Sequence, residues 1–367
     1  MPPATPLPAP ERIDSEVYLE LLPGVSDNEN EVARLNAMHN AFHEYFKGGL
    51  CAFKLKNERP QRVLELGCGT GAWAVQAAIE FPEAQVVAVD ISPLPAHRVL
   101  PDNMNFQLVD LRADLPFERE SFDIVHARMV MMHIPNAKHL ITRVAQLVKP
   151  GGLLILHDPA SKTLLETGGP AVRHCVKELV ELWKMSGADP DMGEKFQSIL
   201  AETGWFSEIQ VEKIAIPLGG CIHDERLYKL GLINKVFLQR FIMAAGARLA
   251  AAGHGLTEEM VQSCVEELDQ VGCTAVWDFY SCAARRGGLA ELHHEMWRFV
   301  AEHCNDRNAT KMPGMTKIMP SAHPALQLTS GAEKLGRSRR LGTLAGHCNA
   351  LQTFLYQAFI PHSTCIA

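Results

Sequence analysis

The chain has 367 residues, of which 47% are hydrophobic and 21% charged, a composition typical of folded globular proteins. Its 35 basic and 42 acidic residues give a net charge of −7, which offers no general attraction for a nucleic-acid backbone. The long apolar stretch at 241–252 is interrupted by Arg248, so no membrane-spanning helix is expected. The ten cysteines include no CxxC pair and predict free thiols in a reducing, cytoplasmic compartment.

The beginning of the chain changes character twice. Five prolines among the first ten residues predict a disordered leader over 1–13. Asn28 and Glu31 form a plausible capping box, and the residues that follow favour an amphipathic helix within an N-terminal helical segment, 14–60. The apolar positions at helical spacing are Val32, Leu35, Met38, Phe42 and Phe46.

From residue 61 onward, short apolar runs alternate with helical segments, which predicts an α/β doubly wound parallel sheet. The predicted strands are 62–66, 85–90, 105–109, 122–126 and 153–157, followed by 208–217 and 274–284. The predicted helices include 137–148, 170–186, 193–203, 224–252 and 257–270. After residue 286 no sustained period remains, so 287–367 is treated as a C-terminal extension of uncertain order.

A glycine-rich turn follows the first predicted strand, in the sequence VLELGCGTG at 63–71. Glycines at alternate positions let the backbone approach a ligand closely. Asp90, at the end of the next strand, stands where a carboxylate can accept both ribose hydroxyls. With Ala72, the glycines also satisfy the dinucleotide pattern, so they leave NAD open. Glu65 would oppose a pyrophosphate, and it suits S-adenosylmethionine, which carries an ammonium and a sulfonium.

Several motifs in order resemble those of class I S-adenosylmethionine-dependent methyltransferases. They are ELGCGTG, Asp90, Asp110, FDIVHAR at 122–128 and LVKPGGLLILHDP at 147–159. The resemblance covers about 61–286 and implies a Rossmann-like, seven-stranded, mostly parallel sheet whose last strand is antiparallel. It also implies that helical insertions at 165–205 and 222–272 cap the cofactor and shape the acceptor pocket.

A narrower resemblance rests on LLPG at 21–24, Trp73 and HAR at 126–128. These features are similar to a fungal group that contains small-molecule methyltransferases of secondary metabolism. The same group contains methyltransferase-like regulators that associate with velvet proteins.

The resemblance implies a role for each matching residue. Gly67, Cys68, Gly69, Thr70 and Gly71 would line the methionine part of the cofactor, with Glu65 at its ammonium. Asp90 would hold the ribose, Ile91 would pack on the adenine, and Asp110 and Leu111 would face the adenine edge. Ala127 and Arg128 would lie beside the methionine and the methyl group.

A hydroxyl acceptor would need a base, and His133 and His157 are the candidates. The alternatives are packing for His133 and loop capping for His157. The 16 histidines show no metal-ligand spacing, so no metal is expected.

These features predict an enzyme that methylates a small, largely apolar metabolite, with oxygen as the expected methylated atom. Residues 124–135 lack the motifs of nucleic-acid amino-methylating enzymes and the paired glutamates of arginine methyltransferases. The alternative is a methyltransferase-like regulator that acts through protein partners, possible also in the nucleus. An NAD oxidoreductase is a distant third.

Overall fold

The computed structural model describes residues 29–55, 58–219, 223–251 and 256–288. The proposed leader (1–13), the capping residue Asn28 and residues 289–367 lie outside the described residues.

The described chain alternates strands and helices only in part, because no helix separates the strands at 85–90, 104–108 and 122–128 from one another. The strands are β1 (Arg62–Leu66), β2 (Gln85–Asp90), β3 (Met104–Leu108), β4 (Phe122–Arg128), β5 (Val148–Ala160), β6 (Phe206–Pro217) and β7 (Val276–Arg286). The helices are α1 (Glu29–Tyr45), α2 (Ala72–Glu80), α3 (Ala137–Ala145), α4 (Lys162–Thr167), α5 (Pro170–Met185), α6 (Met192–Thr203), α7 (Glu225–Ala251) and α8 (Glu258–Asp269). A 3₁₀ turn occupies Met131–His133. Within these residues, no helix is both long and apolar enough to cross a bilayer.

The strands form one seven-stranded sheet in the order β3-β2-β1-β4-β5-β7-β6. The pairs from β3 to β5 are parallel, and β7 runs antiparallel to both β5 and β6. The predicted mixed sheet is therefore confirmed. Strand order reverses between β1 and β4, and in such sheets the carboxyl ends of the strands at this point form a ligand-binding crevice.

Apolar side chains cover both faces of the sheet, as expected for parallel strands enclosed by helices. Successive residues of β1 point to opposite faces, so Val63 packs in one buried cluster with Trp73, while Leu64 packs in the other with Ile141. These two clusters fix the strands, and hence fix where each strand ends.

β5 is longer than predicted. It continues to Ala160 because β7 pairs with it from Leu153 onward. His157 therefore lies inside β5 and not in a loop beyond it, opposite Arg128 on one side and Ser281 on the other. The loop-capping role considered for His157 was therefore wrong. The amino-acid sequence of β5 alone does not show that a distant strand, β7, pairs with it and extends it.

Candidate active site

A cavity of about 520 Å³ opens at the carboxyl ends of β1, β2 and β4. Its lining includes the glycine turn 67–70, together with 90–92, 109–112, 128–130 and 133–134. Residues of α1 and α7 complete the wall. The cavity lies where the strand order predicts a ligand site, and its volume is within the usual range for small-molecule sites.

Two glycines give the turn its shape. Gly67 has φ +61°, and a Cβ there would lie 2.5 Å from Cγ2 of Val130, so no side chain fits. Gly69 has φ +55°, but a Cβ there would meet only Leu35 Cδ1 at 3.5 Å. The turn therefore presents bare backbone to the cavity at Gly69, which leaves room for a ligand.

Glu65 is a buried carboxyl that lines the cavity. Its Oε2 accepts a hydrogen bond from the Ala74 amide at 2.9 Å, and its Oε1 lies 3.6 Å from His126 Nδ1. Burial raises the pKa of Glu65 to about 8. A cation brought into the cavity would favour the ionised carboxylate, so this position suits an ammonium group.

Arg128 supplies a positive charge at the same end of the cavity. The side chain is partly buried, and this burial lowers its pKa to about 10. Its Nη2 donates to Nδ1 of His39 on α1 at 3.2 Å, and its guanidinium lies 5.5 Å from the ring centre of Phe42. A carboxyl and a guanidinium in one cavity match the ammonium and carboxylate of a methionine, so these residues fit the expected cofactor.

Two aspartates follow β2 and β3. Asp90 accepts hydrogen bonds from the amides of Gly69, at 2.8 Å, and Ser92, at 2.9 Å, which ties the glycine turn to β2. Asp110 binds the Arg112 guanidinium at 2.8 Å, and this contact lowers the pKa of Asp110. Both carboxylates line the cavity, and Asp90 lies where a ribose hydroxyl would be expected.

The structure brings most of the predicted residues together. Those that line the cavity are Glu65, Gly67, Cys68, Gly69, Thr70, Asp90, Ile91, Asp110, Leu111, Arg128 and His133. Gly71, Ala127 and His157 are not among the lining residues. Gly71 has φ +73° and caps α2, while Ala127 is buried between Leu66 and Leu156 of the neighbouring strands.

His157 does not face the cavity. Its Nε2 lies 3.1 Å from Ser281 Oγ, its ring packs edge-on against His126 at 5.2 Å, and it is fully buried. Burial and the nearby Arg128 lower the pKa of His157 to about 3. The residue is part of the packing between β4, β5 and β7, so the geometry does not place it as a base for an acceptor.

His133 does line the cavity, on the 3₁₀ turn after β4. Its Nδ1 accepts a hydrogen bond from the Trp183 indole nitrogen at 3.3 Å. Because an indole N–H can only donate, the neutral ring carries its proton on Nε2. Burial, assisted by Arg34, lowers the pKa of His133 to about 4.

The sequence did not identify the contribution of α1. The α1 residues that line the cavity are Glu31, Arg34, Leu35, Met38 and His39, and α7 adds Phe237 and Phe241. The insertion 165–205 was expected to cap the cofactor and shape the acceptor pocket, but it adds no residue to the cavity wall. It contributes only indirectly, through the hydrogen bond from Trp183 to His133. The amphipathic pattern identified α1 as a helix but carries no information about what it covers.

No metal site is seen in the part of the chain that the structure describes. There, no group of three or more His, Cys, Asp or Glu side chains is arranged to hold an ion.

Comparison with known proteins places this geometry in a family. A family model described as a methyltransferase domain matches residues 38–205. Methyltransferase str2 of Strobilurus tenacellus is 32% identical over 244 residues, which cover 66% of this chain and 86% of that protein. Methyltransferase str3 of the same fungus is 36% identical over 219 residues, 59% of this chain and 77% of that protein.

A third relative is the secondary metabolism regulator laeA of Coprinopsis cinerea. It is 33% identical over 136 residues, which cover 36% of this chain and only 34% of the regulator. The chain covers more than three quarters of the length of each of the two Strobilurus methyltransferases. The chain belongs to the class I S-adenosylmethionine-dependent methyltransferases.

Proposed function

We propose that this methyltransferase acts in fungal secondary metabolism and methylates an acidic hydroxyl, phenolic or enolic, of a small and largely apolar metabolite. The role in fungal secondary metabolism is supported by the names of its relatives. The single observation that supports an apolar acceptor is the composition of the cavity wall formed by the turn after β4, α1 and α7.

That wall, the acceptor end of the cavity, is mostly apolar. Its apolar residues are Leu35, Met38, Met129, Ile134, Phe237 and Phe241. Two charged residues also belong to it, Glu31 and Arg34, and they neutralise one another in a two-pronged ion pair. An ionic acceptor would meet no unbalanced charge here, whereas an apolar one would gain free energy from burial.

The state of His133 bears on how the acceptor is activated. Because Nδ1 accepts the hydrogen bond from Trp183, this nitrogen cannot take the acceptor's proton. A pKa of about 4 makes the ring a weak base. The acceptor hydroxyl must therefore be acidic enough to ionise without strong assistance.

The cofactor supplies an electrophilic methyl group. The protein aligns the acceptor and excludes water, and in model reactions alignment alone supplies on the order of 7–11 kcal/mol. The turn carrying His133 is well suited to alignment, because the buried carboxyl group of Asp158 accepts a hydrogen bond from the Met132 amide at 3.2 Å.

The regulator alternative has weaker support, since the match to laeA covers about a third of that protein. Incubation with S-adenosylmethionine and matched pairs of phenols and anilines, followed by mass spectrometry, tests both ideas. Methylated phenols and unchanged anilines are expected. Methylated anilines alone would disprove oxygen specificity, and cofactor binding with no methylated product in a broad panel of enols and phenols would favour the regulator.

A further inference from the structure

We infer that Arg34 selects the acceptor by donating a hydrogen bond from Nη1 to a neutral oxygen, such as a ketone carbonyl, on an aromatic acceptor. This inference rests on the proposed function and adds a specificity-determining residue on α1 to it.

The first observation is an incomplete set of hydrogen bonds. Arg34 donates from Nε to Glu31 Oε2 at 2.7 Å and from Nη2 to Glu31 Oε1 at 2.5 Å. Its Nη1 is buried and has no hydrogen-bond partner, although the side chain lines the cavity and is only 9% exposed. Buried donors without partners are rare because each costs free energy. A ligand oxygen in the cavity would supply the missing partner.

The second observation concerns charge. Glu31 already balances the guanidinium, so the pair as a whole is neutral. A second carboxylate bound at Nη1 would lie close to the Glu31 carboxylate in a poorly solvated space, where like charges repel strongly. A neutral oxygen gains the hydrogen bond without this repulsion. The pair therefore favours a carbonyl over a free acid.

The third observation concerns shape. The Arg34 guanidinium lies 4.4 Å from the ring centre of Phe237. The Phe237 and Phe241 rings are parallel within 2°, and the Phe241 and Trp183 rings within 6°, with centres 6.1 and 5.3 Å apart. A row of parallel rings beside the cavity is suited to packing against a flat aromatic molecule.

These contacts place Arg34 at the acceptor end. Its guanidinium packs on α7, and its charge lowers the pKa of His133. Substitution of Arg34 should therefore leave cofactor affinity unchanged.

The test uses three probes of similar size, added to protein saturated with S-adenosylhomocysteine and followed by calorimetry or ligand-observed NMR. Acetophenone has the carbonyl, ethylbenzene lacks it, and benzoate replaces it with an anion. We expect the unmodified protein to bind acetophenone about tenfold more tightly than ethylbenzene. Benzoate should bind more weakly than acetophenone.

Two variants separate the contributions. Arg34→Met alone would strand the Glu31 carboxylate, so the informative change is the double variant Glu31→Gln with Arg34→Met, which removes both charges. It should bind acetophenone and ethylbenzene equally. Glu31→Gln alone keeps Nη1 and removes the balancing charge, so it should keep the preference for acetophenone and bind benzoate more tightly than the unmodified protein does.

The inference is overturned if the unmodified protein does not prefer acetophenone, or if the double variant keeps that preference. It is also overturned if the double variant loses affinity for S-adenosylhomocysteine, because Arg34 would then hold the cofactor. A failure to methylate any phenol would count against the proposed function, but it would leave these binding measurements intact.

Discussion

Trp183 on α5 determines which nitrogen of His133 carries the proton, through a single 3.3 Å hydrogen bond to Nδ1. The indole cannot accept, so the bond is compatible only with the neutral ring protonated on Nε2, because the cation carries a proton on both nitrogens. Because the pKa of His133 is lowered to about 4, the cation is excluded at neutral pH. A residue that does not line the cavity thus defines the hydrogen-bonding character of one that does.

Trp183→Phe should release this constraint. The His133 ring should then populate both neutral tautomers, which ¹⁵N NMR of the imidazole distinguishes, and methyl transfer should fall roughly 2- to 10-fold. Trp205→Phe is a matched control, since Trp205 packs against Arg286 and does not line the cavity. An unchanged single-tautomer spectrum in Trp183→Phe would show that another contact sets the tautomer.

Cofactor binding should depend on pH through Glu65. The free protein holds a proton there up to about pH 8, and a bound ammonium favours the carboxylate, so binding releases the proton. Affinity for S-adenosylhomocysteine should therefore rise with pH below 8, by at most about tenfold per unit. The ligand's own amine lies beside a carboxylate and stays protonated below about pH 7.5, so calorimetry between about pH 6 and 7.5 on Glu65→Gln provides the reference. An equal slope in the variant would contradict the role of Glu65.

Asp90→Ala should weaken binding of S-adenosylhomocysteine by about 2–4 kcal/mol, because two hydrogen bonds from the ribose to a charged acceptor would be lost. Asp123→Ala is the control. Asp123 also accepts two backbone amides, those of Gln61 and Arg62 at 2.9 and 2.8 Å, but at the opposite end of β1. Calorimetry should show a loss of affinity only for Asp90→Ala, and a similar loss in both variants would point to a general effect on the fold.

Gly69→Ala should separate backbone strain from ligand contact. At φ +55° an alanine costs roughly 1–2 kcal/mol of stability, and so does Gly151→Ala at φ +81°, where no atom lies within 4 Å of the new Cβ. The melting temperature should therefore fall by a similar amount in both variants. Only Gly69→Ala should also lose affinity for S-adenosylhomocysteine, at least roughly tenfold, and full affinity there would place the ligand elsewhere.

The sequence predicted the sheet and the cofactor half of the cavity well, because those residues lie within or directly after strands. The bounds of β1 and β2 are as predicted, and the strand ends then bring Glu65 and Asp90 to one edge without further information. The acceptor half could not be predicted in the same way. It depends on α1 and α7, which come into contact although their residues lie far apart in the sequence, as Arg34 and Phe237 do.

The contact between Gly67 and Val130 has a consequence for how this enzyme could diverge. Val130 occupies the space where a Gly67 side chain would be, so the cofactor turn and the turn bearing His133 interlock. Neither can be remodelled without displacing the other. New acceptor preferences are therefore expected to arise by changes in α1 and α7, which makes these two helices the parts to exchange in a chimaera with another member of the family.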